Sequence, residues 1–355
     1  MSKLTLLKDK IKKFDIYNNK TIFYIVPLVV ILVMLICGIV YQVTPSKQYF
    51  ANIGIDFQGG TILTVEFKES KANSENYKSN VEIISNKIRQ EYKVDVSRDQ
   101  ASGDSSIILQ YTNWSNGTGG AVNDADAMSD INAKIRNMIF EMSDNGEIDA
   151  VRENGITFST IGNESSKNLL KTSAIAVAIA LVLMLVYIII RFDFYSALAA
   201  VVALLHDVII MLSLTVIFYV EIGDSIVAGL ITIVAYSINN TIVVFDRIRS
   251  VVKPLNKQGK KDFAVGPIIN NAVYSTMTRT LYTTITTLVV MVILVAIGVV
   301  SIQTFGLPII FGLIAGFYSS VFIAAPLWGD FRTIGNNIRL KIKNKKFEKQ
   351  RKARA

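Results

Sequence analysis

Residues Ala228–Arg249 read AGLITIVAYSINNTIVVFDRIR, and this stretch decides what kind of molecule the chain is. It is apolar enough to lie in hydrocarbon, yet Ser237, Asn239, Asn240 and Thr241 sit inside it. A hydrogen-bonding side chain costs free energy in a bilayer unless it faces protein or a water-filled cavity. For any one of the four, bonding between packed helices explains its presence as well as function does. Four together point to a pathway or coupling site.

The rest of the chain fits that reading. Over 355 residues, 51% hydrophobic content is too high for a soluble protein of this size. Six apolar runs reach spanning length: Ile22–Tyr41, Ser173–Ile190, Ala197–Val220, Ile226–Phe245, Thr280–Val300 and Phe305–Leu327. The first is longer than a signal-peptide core and lacks a small-x-small cleavage site, so it is expected to stay as an anchor.

Orientation follows from the basic residues. The first 20 residues carry six Lys, Asp246–Arg279 carries seven basic residues and Phe331–Ala355 carries ten. Six spans with both termini cytoplasmic place all three segments on one side, as the positive-inside bias requires. Thr44–Asn168 holds 12 basic and 18 acidic residues, a charge of −6 against +15 for the rest. The formal +9 is thus sorted by membrane side. It is no footprint of nucleic-acid binding, and contact with anionic membrane lipids is its plainer meaning. The expected layout is a basic N-terminus 1–21, a first span 22–41, an external domain 42–168, a five-helix membrane domain 169–330 with a basic loop 246–279, and a basic tail 331–355.

Within the external segment, Thr61–Phe67 (TILTVEF) alternates like a strand. Tyr77–Glu91 puts Val81, Ile84 and Ile88 on one helical face. Val94–Ser97 and Ile107–Tyr111 read as strands around a Ser102-Gly103-Asp104 turn. A second helix over about Asp124–Met142 buries Ile131, Ile135, Met138 and Ile139, and Ile156–Ile161 closes the set. The order β-α-β-β-α-β predicts a ferredoxin-like α+β sandwich. Asn113–Asn123, rich in Gly and Asn-Gly, reads as a mobile loop. The fold class is therefore an α-helical polytopic membrane protein of six transmembrane helices, with a small α+β domain between spans 1 and 2.

Just before the first strand lies Gly54-Ile55-Asp56-Phe57-Gln58-Gly59-Gly60-Thr61, three glycines and one carboxylate. It reads as a tight turn packed on the membrane-proximal base of the domain. A phosphate-binding role is not expected, because no helix is predicted to follow.

Several chemistries are excluded. Cys37 is the only cysteine and lies inside the first span, so no disulfide framework exists. A single histidine, His206, rules out a His-rich metal site. No G-x-x-x-x-G-K-[ST] loop occurs, so the chain does not bind ATP by that route. No catalytic constellation and no cofactor are expected. Energy for any work would come from a gradient or a partner.

Four stretches in order resemble the SecF branch of the SecD/SecF family. GIDFQGGT at Gly54–Thr61 resembles its signature after the first span, so Gly54, Asp56, Phe57, Gly59, Gly60 and Thr61 are its signature residues. Ile161-Gly162-Asn163-Glu164, leading to Leu169, is a degraded V-G-P-x-x-G-x-x-L. Ala203–Val208 resembles A-L-x-H-D-V, and Tyr236–Arg249 resembles Y-S-x-N-D-[ST]-I-V-V-x-D-R-I-R. Thr278-Arg279-Thr280 resembles x-R-T.

The resemblance implies the resistance-nodulation-division superfamily and a subunit of the bacterial protein-export machinery in the cell membrane. Such a subunit acts with SecD beside the SecYEG channel. Proton entry then helps draw unfolded exported polypeptide outward after the SecA motor has started it. One set of six spans and one external domain fill the 355 residues, so SecD is expected as a separate chain.

Two positions depart from the family pattern. Asn240 stands where the family has Asp, the residue held to couple protons with an Arg matching Arg279. Asn cannot titrate, although its carbonyl oxygen can hold Arg279. A carboxylate from SecD becomes the natural replacement. Ala235 replaces a Gly and would only tighten helix packing.

Asp207, near the middle of its span, is then the best proton carrier left in the chain, with interhelical bonding as its plainer role. His206 points roughly 100° away and need not touch it. Arg279 could snorkel, but Thr276, Thr280, Thr283 and Thr287 at helical spacing suggest a polar face lining something wet. Asp246 and Arg247 read as a topology anchor and local ion pair, and Gly312 and Gly316 as a close helix contact. Two other functions stay open. One is a passive assembly subunit, which Asn240 favours; the other is a small-molecule or lipid exporter of the same superfamily.

Overall fold

The computed structural model describes residues 14–44, 49–68, 75–92, 96–102, 105–111, 125–258 and 263–354. Among them, six stretches are long and apolar enough to cross a membrane. They are α1 (Lys20–Val43), α4 (Asn163–Arg191), α5 (Phe194–Ile217), α6 (Asp224–Lys257), α7 (Val265–Ala296) and a final pair, α8 (Val300–Ser319) and α9 (Ala325–Arg354). The molecule is a multi-pass membrane protein.

Between α1 and α4 lies a four-stranded sheet, β1 (Gly60–Phe67), β2 (Val96–Ser102), β3 (Ser106–Tyr111) and β4 (Val151–Ile161), in the order β2-β3-β1-β4. All neighbouring strands are antiparallel, which with α2 (Glu75–Tyr92) and α3 (Ala125–Asp144) gives the ferredoxin-like topology. Period-two alternation drives one face inward: Leu63, Val65 and Phe67 on β1 meet Ile107 and Leu109 on β3, all fully buried. Val81, Ile84 and Ile88 of α2 and Ile135, Met138 and Ile139 of α3 close over them. Ile131 packs against this core from its edge.

Two strands run longer than the sequence reading. β2 continues past Ser97 to Ser102 and pairs with β3 through a register shift between Val96 and Arg98, while the expected start at Val94 lies outside the described residues. β4 begins five residues early, at Val151, across a bulge opposite Val65–Phe67. Gly155 sits in that bulge, where a Cβ would lie 2.7 Å from the Glu66 carbonyl. The Asn113–Asn123 loop lies outside the described residues.

In the bundle, α5, α6 and α8 form the packed centre, while α1 and α4 turn most of their side chains outward. Small residues allow the close approach: Ala197, Ala199, Ala200 and Ala203 of α5 are all buried. On α8, Gly312 and Gly316 receive Ile233 and Ser237 of α6, the close contact expected of that step.

The last two apolar runs are reshaped. Thr280–Val300 stops being helical at Ala296, and Gly298, with φ +82°, turns the chain into α8. Phe305–Leu327 is not one regular helix, because Ser320–Ala324 forms a π-helical turn between α8 and α9. The basic stretch after Phe331 continues α9 as helix to Arg354. The segment before α1 folds back on this end of the bundle. Tyr17 and Lys20 both bond Asp330 on α9, while Asn270 on α7 donates to Asp15 (2.8 Å).

Candidate functional site

The polar residues of the bundle sort into a closed cluster and an open face. At the closed cluster, Asp207 on α5 is 1% exposed. Its Oδ2 accepts from Ser237 Oγ on α6 and from Ser319 Oγ at the end of α8 (2.9 Å). Its Oδ1 lies 2.9 Å from His206 Nδ1. The expectation that adjacent side chains diverge was wrong here. The imidazole folds back onto its neighbour and stacks against Tyr318 with a centroid separation of 6.1 Å.

One carboxylate thus ties three helices. The Nδ1–Oδ1 contact is a hydrogen bond whose donor depends on the imidazole tautomer. The far ring nitrogen, His206 Nε2, is buried with no partner among the described residues.

One turn along α6, Thr241 Oγ1 lies 3.0 Å from Ser320 Oγ. Ser319 and Ser320 are adjacent yet engage α5 and α6 respectively, at the entry to the π-helical turn. Sequence reasoning missed both serines. Their signal was present, as a Ser-Ser pair inside the apolar run FGLIAGFYSSVFIAAPLW. Asn240 is buried, and its Nδ2 finds no acceptor among the described residues.

The open face lies on α7. Tyr236 Oη donates to Thr284 Oγ1 (3.4 Å) and Arg247 Nε donates to Ser275 Oγ (3.1 Å). These two ties fix the antiparallel register of α6 and α7 and put Arg279 within about a turn of Asn240 in depth. Arg279 is nevertheless exposed, and no ion pair or hydrogen bond among the described residues engages its guanidinium. Among the described residues no hydrogen bond joins Asn240 to Arg279.

The threonine stripe divides. Thr276 and Thr280 are buried against the bundle, Thr287 is half-buried, and Thr283 shares the exposed side with Arg279; Thr284, outside the expected stripe, is buried too. All five hydroxyls donate to backbone carbonyls one turn back. Asn239 is also exposed, so the structure separates it from Ser237, Asn240 and Thr241. Asp246 pairs with Arg191 on α4 (3.3 Å) rather than with Arg247.

The glycine segment is a joint between domain and bundle rather than a turn confined to the domain. Ile55–Gln58 forms a single helical turn, which the sequence reading did not anticipate. Gly59 (φ +77°) and Gly60 (φ +153°) then reverse the chain into β1, and a Cβ on Gly60 would lie 2.7 Å from the Tyr111 carbonyl. Gly54 N–H donates to the Ile222 carbonyl (3.0 Å), and Ile222 N–H to the Asn52 carbonyl (2.7 Å).

Asp56 Oδ2 accepts from Asp224 N–H (3.0 Å), which satisfies an otherwise free donor at the start of α6. Gly223 leaves room for it, since a Cβ there would lie 2.6 Å from Asp56 Oδ2. Burial, followed by the neighbouring Asp224 carboxylate, raises the Asp56 pKa against the lowering effect of this hydrogen bond. Phe57 packs against Met211, Ile226 and Leu230 of the bundle, and Thr61 Oγ1 meets Thr160 Oγ1 (3.0 Å) inside the sheet. The sequence could not show this joint, because Asp56 and Asp224 are 168 residues apart.

These features define a class: a multi-pass membrane protein with a ferredoxin-like domain set after its first span and polar side chains lining its helix packing. Residues 144–333 match the family described as "Protein export membrane protein SecD/SecF, C-terminal", and residues 52–71 match the "SecD/SecF GG Motif". The chain therefore belongs to the SecD/SecF family of protein export membrane proteins.

It is 31% identical over 315 residues to the protein translocase subunit SecF of Helicobacter pylori, covering 89% of this chain and 85% of that protein. With the SecF of Sebaldella termitidis it shares 31% identity over 276 residues, 78% of this chain and 80% of that one. The match to Rickettsia bellii SecF, 32% over 189 residues, covers 53% of this chain and spans only 57% of its relative. The crystal structure of SecDF from Thermus thermophilus superposes with a TM-score of 0.63 at 23% identity, covering 89% of this chain and 38% of that one, a likeness of fold.

Proposed function

We propose that this chain is a SecF-like subunit of the Sec export machinery, acting with SecD beside SecYEG to promote late, proton-gradient-linked passage of unfolded polypeptide. SecA acts earlier and only indirectly on this subunit. The observation that carries the reading is Arg279, exposed within about a turn of Asn240 and without an acceptor among the described residues. A cation at that depth in lipid is costly unless a partner or water meets it. A SecD carboxylate supplies what Asn240 lacks: a group that titrates beside a fixed positive charge. Arg279 then sets the proton affinity of that carboxylate, and the polar face around it forms half of a coupling site. In this reading the domain 42–168 and the basic segments lie on opposite sides of the bacterial cell membrane, with both termini cytoplasmic.

A second reading, a passive assembly subunit, is favoured by the closure of the Asp207 cluster. Asp207 is met by Ser237, Ser319 and His206 Nδ1 across three helices, as a structural tie would be, and His206 Nε2 alone is left without a partner among the described residues. Proton flux into vesicles containing the co-reconstituted pair separates the two readings. Export-linked flux lost on Arg279→Leu supports coupling. Flux and export unchanged by that substitution would leave assembly as the function.

A further inference from the structure

At the end of the bundle where α4 stops and the basic part of α6 begins, a cavity of about 530 Å³ opens between α4, α6 and α9. With the groove beside it, it gathers Arg191, Arg249, Lys253, Lys257 and Arg332 against two carboxylates, Asp193 and Asp246. Both carboxylates are already engaged: Asp246 with Arg191 (3.3 Å), Asp193 with the Ser196 hydroxyl (2.6 Å). Among the described residues, no carboxylate lies within ion-pair distance of Arg249, Lys253, Lys257 or Arg332.

A second, independent observation comes from the cavity wall. Trp328 is 1% exposed, and its indole N–H has no acceptor among the described residues. Arg332 Nε, on the next turn of α9, is likewise buried without a partner, while its terminal amine donates to Asn256 (3.1 Å). Both donors leave positive partial charge beside the cavity that no described acceptor offsets.

The remaining lining explains which anion. Phe192, Phe245 and Ile248 line the cavity beside the charges. Ile190 leads out of it, 80% exposed, onto the apolar outer surface of α4 that carries Val186 and Ile189. A site charged at its mouth, donor-rich at its wall and continuous with a lipid-facing apolar surface fits one ligand class. We propose that this cavity binds the phosphodiester headgroup of an anionic phospholipid, with an acyl chain lying along α4. Free phosphate offers the same oxygens but nothing to cover α4.

The protein has two tryptophans, so the full chain with Trp114→Phe keeps Trp328 as its only tryptophan, excited beyond the absorption of the tyrosines. It is reconstituted into phosphatidylcholine vesicles containing a small fraction of bromine-labelled phosphatidylglycerol, or the same fraction of bromine-labelled phosphatidylcholine. The labelled phosphatidylglycerol quenches Trp328 more strongly. Arg249→Gln and Lys253→Gln each reduce that preference about fivefold, the equivalent of ~1 kcal/mol per interfacial charge. Lys253→Arg retains the preference, and Lys345→Gln on the distal part of α9 leaves it unchanged, which separates a built site from diffuse attraction.

Equal quenching by the two labelled lipids overturns the proposal. So does a Trp328 signal that responds to inorganic phosphate with no lipid preference, which would make this a free-phosphate pocket. Cross-linking of Lys253 to a partner polypeptide in cells, without any lipid preference, would assign the cavity to protein and also overturn it.

Discussion

Two charged side chains on helices of the same bundle are finished differently. Asp207 is sealed by Ser237, Ser319 and His206 from within the chain. Arg279 is exposed with no acceptor among the described residues. A buried polar group whose partners are all internal needs nothing more to be stable in lipid. An exposed cation on a membrane helix does, and no described residue provides it. In the proposed reading the first site serves folding, and the second is completed by a partner.

The largest effect that separates them is on stability. Asp207→Leu strips the acceptor from two serines and an imidazole. Only the two serine bonds cross between helices, so at ~0.6 kcal/mol per interhelical bond on average, and up to ~1.7, the loss is about 1.2 kcal/mol and at most about 3.4. Thermal unfolding in mild detergent measures it, and Arg279→Leu leaves the midpoint unchanged in the same assay. Equal destabilisation by the two substitutions would erase the distinction.

A smaller effect sharpens the closed site. Ser319→Ala removes one of the two hydroxyls on Asp207 Oδ2 and costs about 0.6 kcal/mol. Asp207→Asn keeps a carbonyl acceptor and costs less than the Leu variant. If Asp207→Asn is stable yet blocks proton-linked export, Asp207 carries a proton; if export persists, it is a tie between helices.

The joint gives a pH-dependent test. Because burial raises the Asp56 pKa, the folded protein holds that proton more tightly than the unfolded chain does. Its contribution to stability is therefore present at low pH and lost as pH rises through the raised value. Asp56→Asn, which can still accept from Asp224 N–H, is expected to be as stable as the parent or slightly more so at neutral pH. The gap closes as pH falls below that value. Denaturant midpoints across pH measure it. A gap that widens in acid would contradict the assignment.

The smallest expected effect is at the Arg191–Asp246 pair, whose side chains are 44% and 52% exposed. Asp246→Ala changes stability by about 0.5 kcal/mol or less.

Much of the fold was written in local pattern. Alternation at Leu63, Val65 and Phe67, and the helical face of Val81, Ile84 and Ile88, announce the sandwich because a single face must be buried. The six spans follow from length and apolarity alone. The polar cluster was visible only as a list of residue types. Sequence put Ser237, Asn239, Asn240 and Thr241 together; folding kept three inside and turned Asn239 outward, a difference of one helical step.

What completes the cluster comes from 79 and 112 residues away, at Ser320 and Ser319, through a π-helical turn with no recognised sequence signature. The joint at Asp56 was hidden for the same reason. Long-range partners leave no periodicity.

The central claim is that the face bearing Arg279 is covered by a partner polypeptide. A photo-crosslinking side chain at Thr283, on the exposed side of α7 one turn from Arg279, tests it directly in cells that also express SecD. The account predicts an adduct with a second membrane protein of SecD size. The same probe at buried Val244 gives none. Adducts to lipid alone at Thr283, with SecD present and export active, would contradict it.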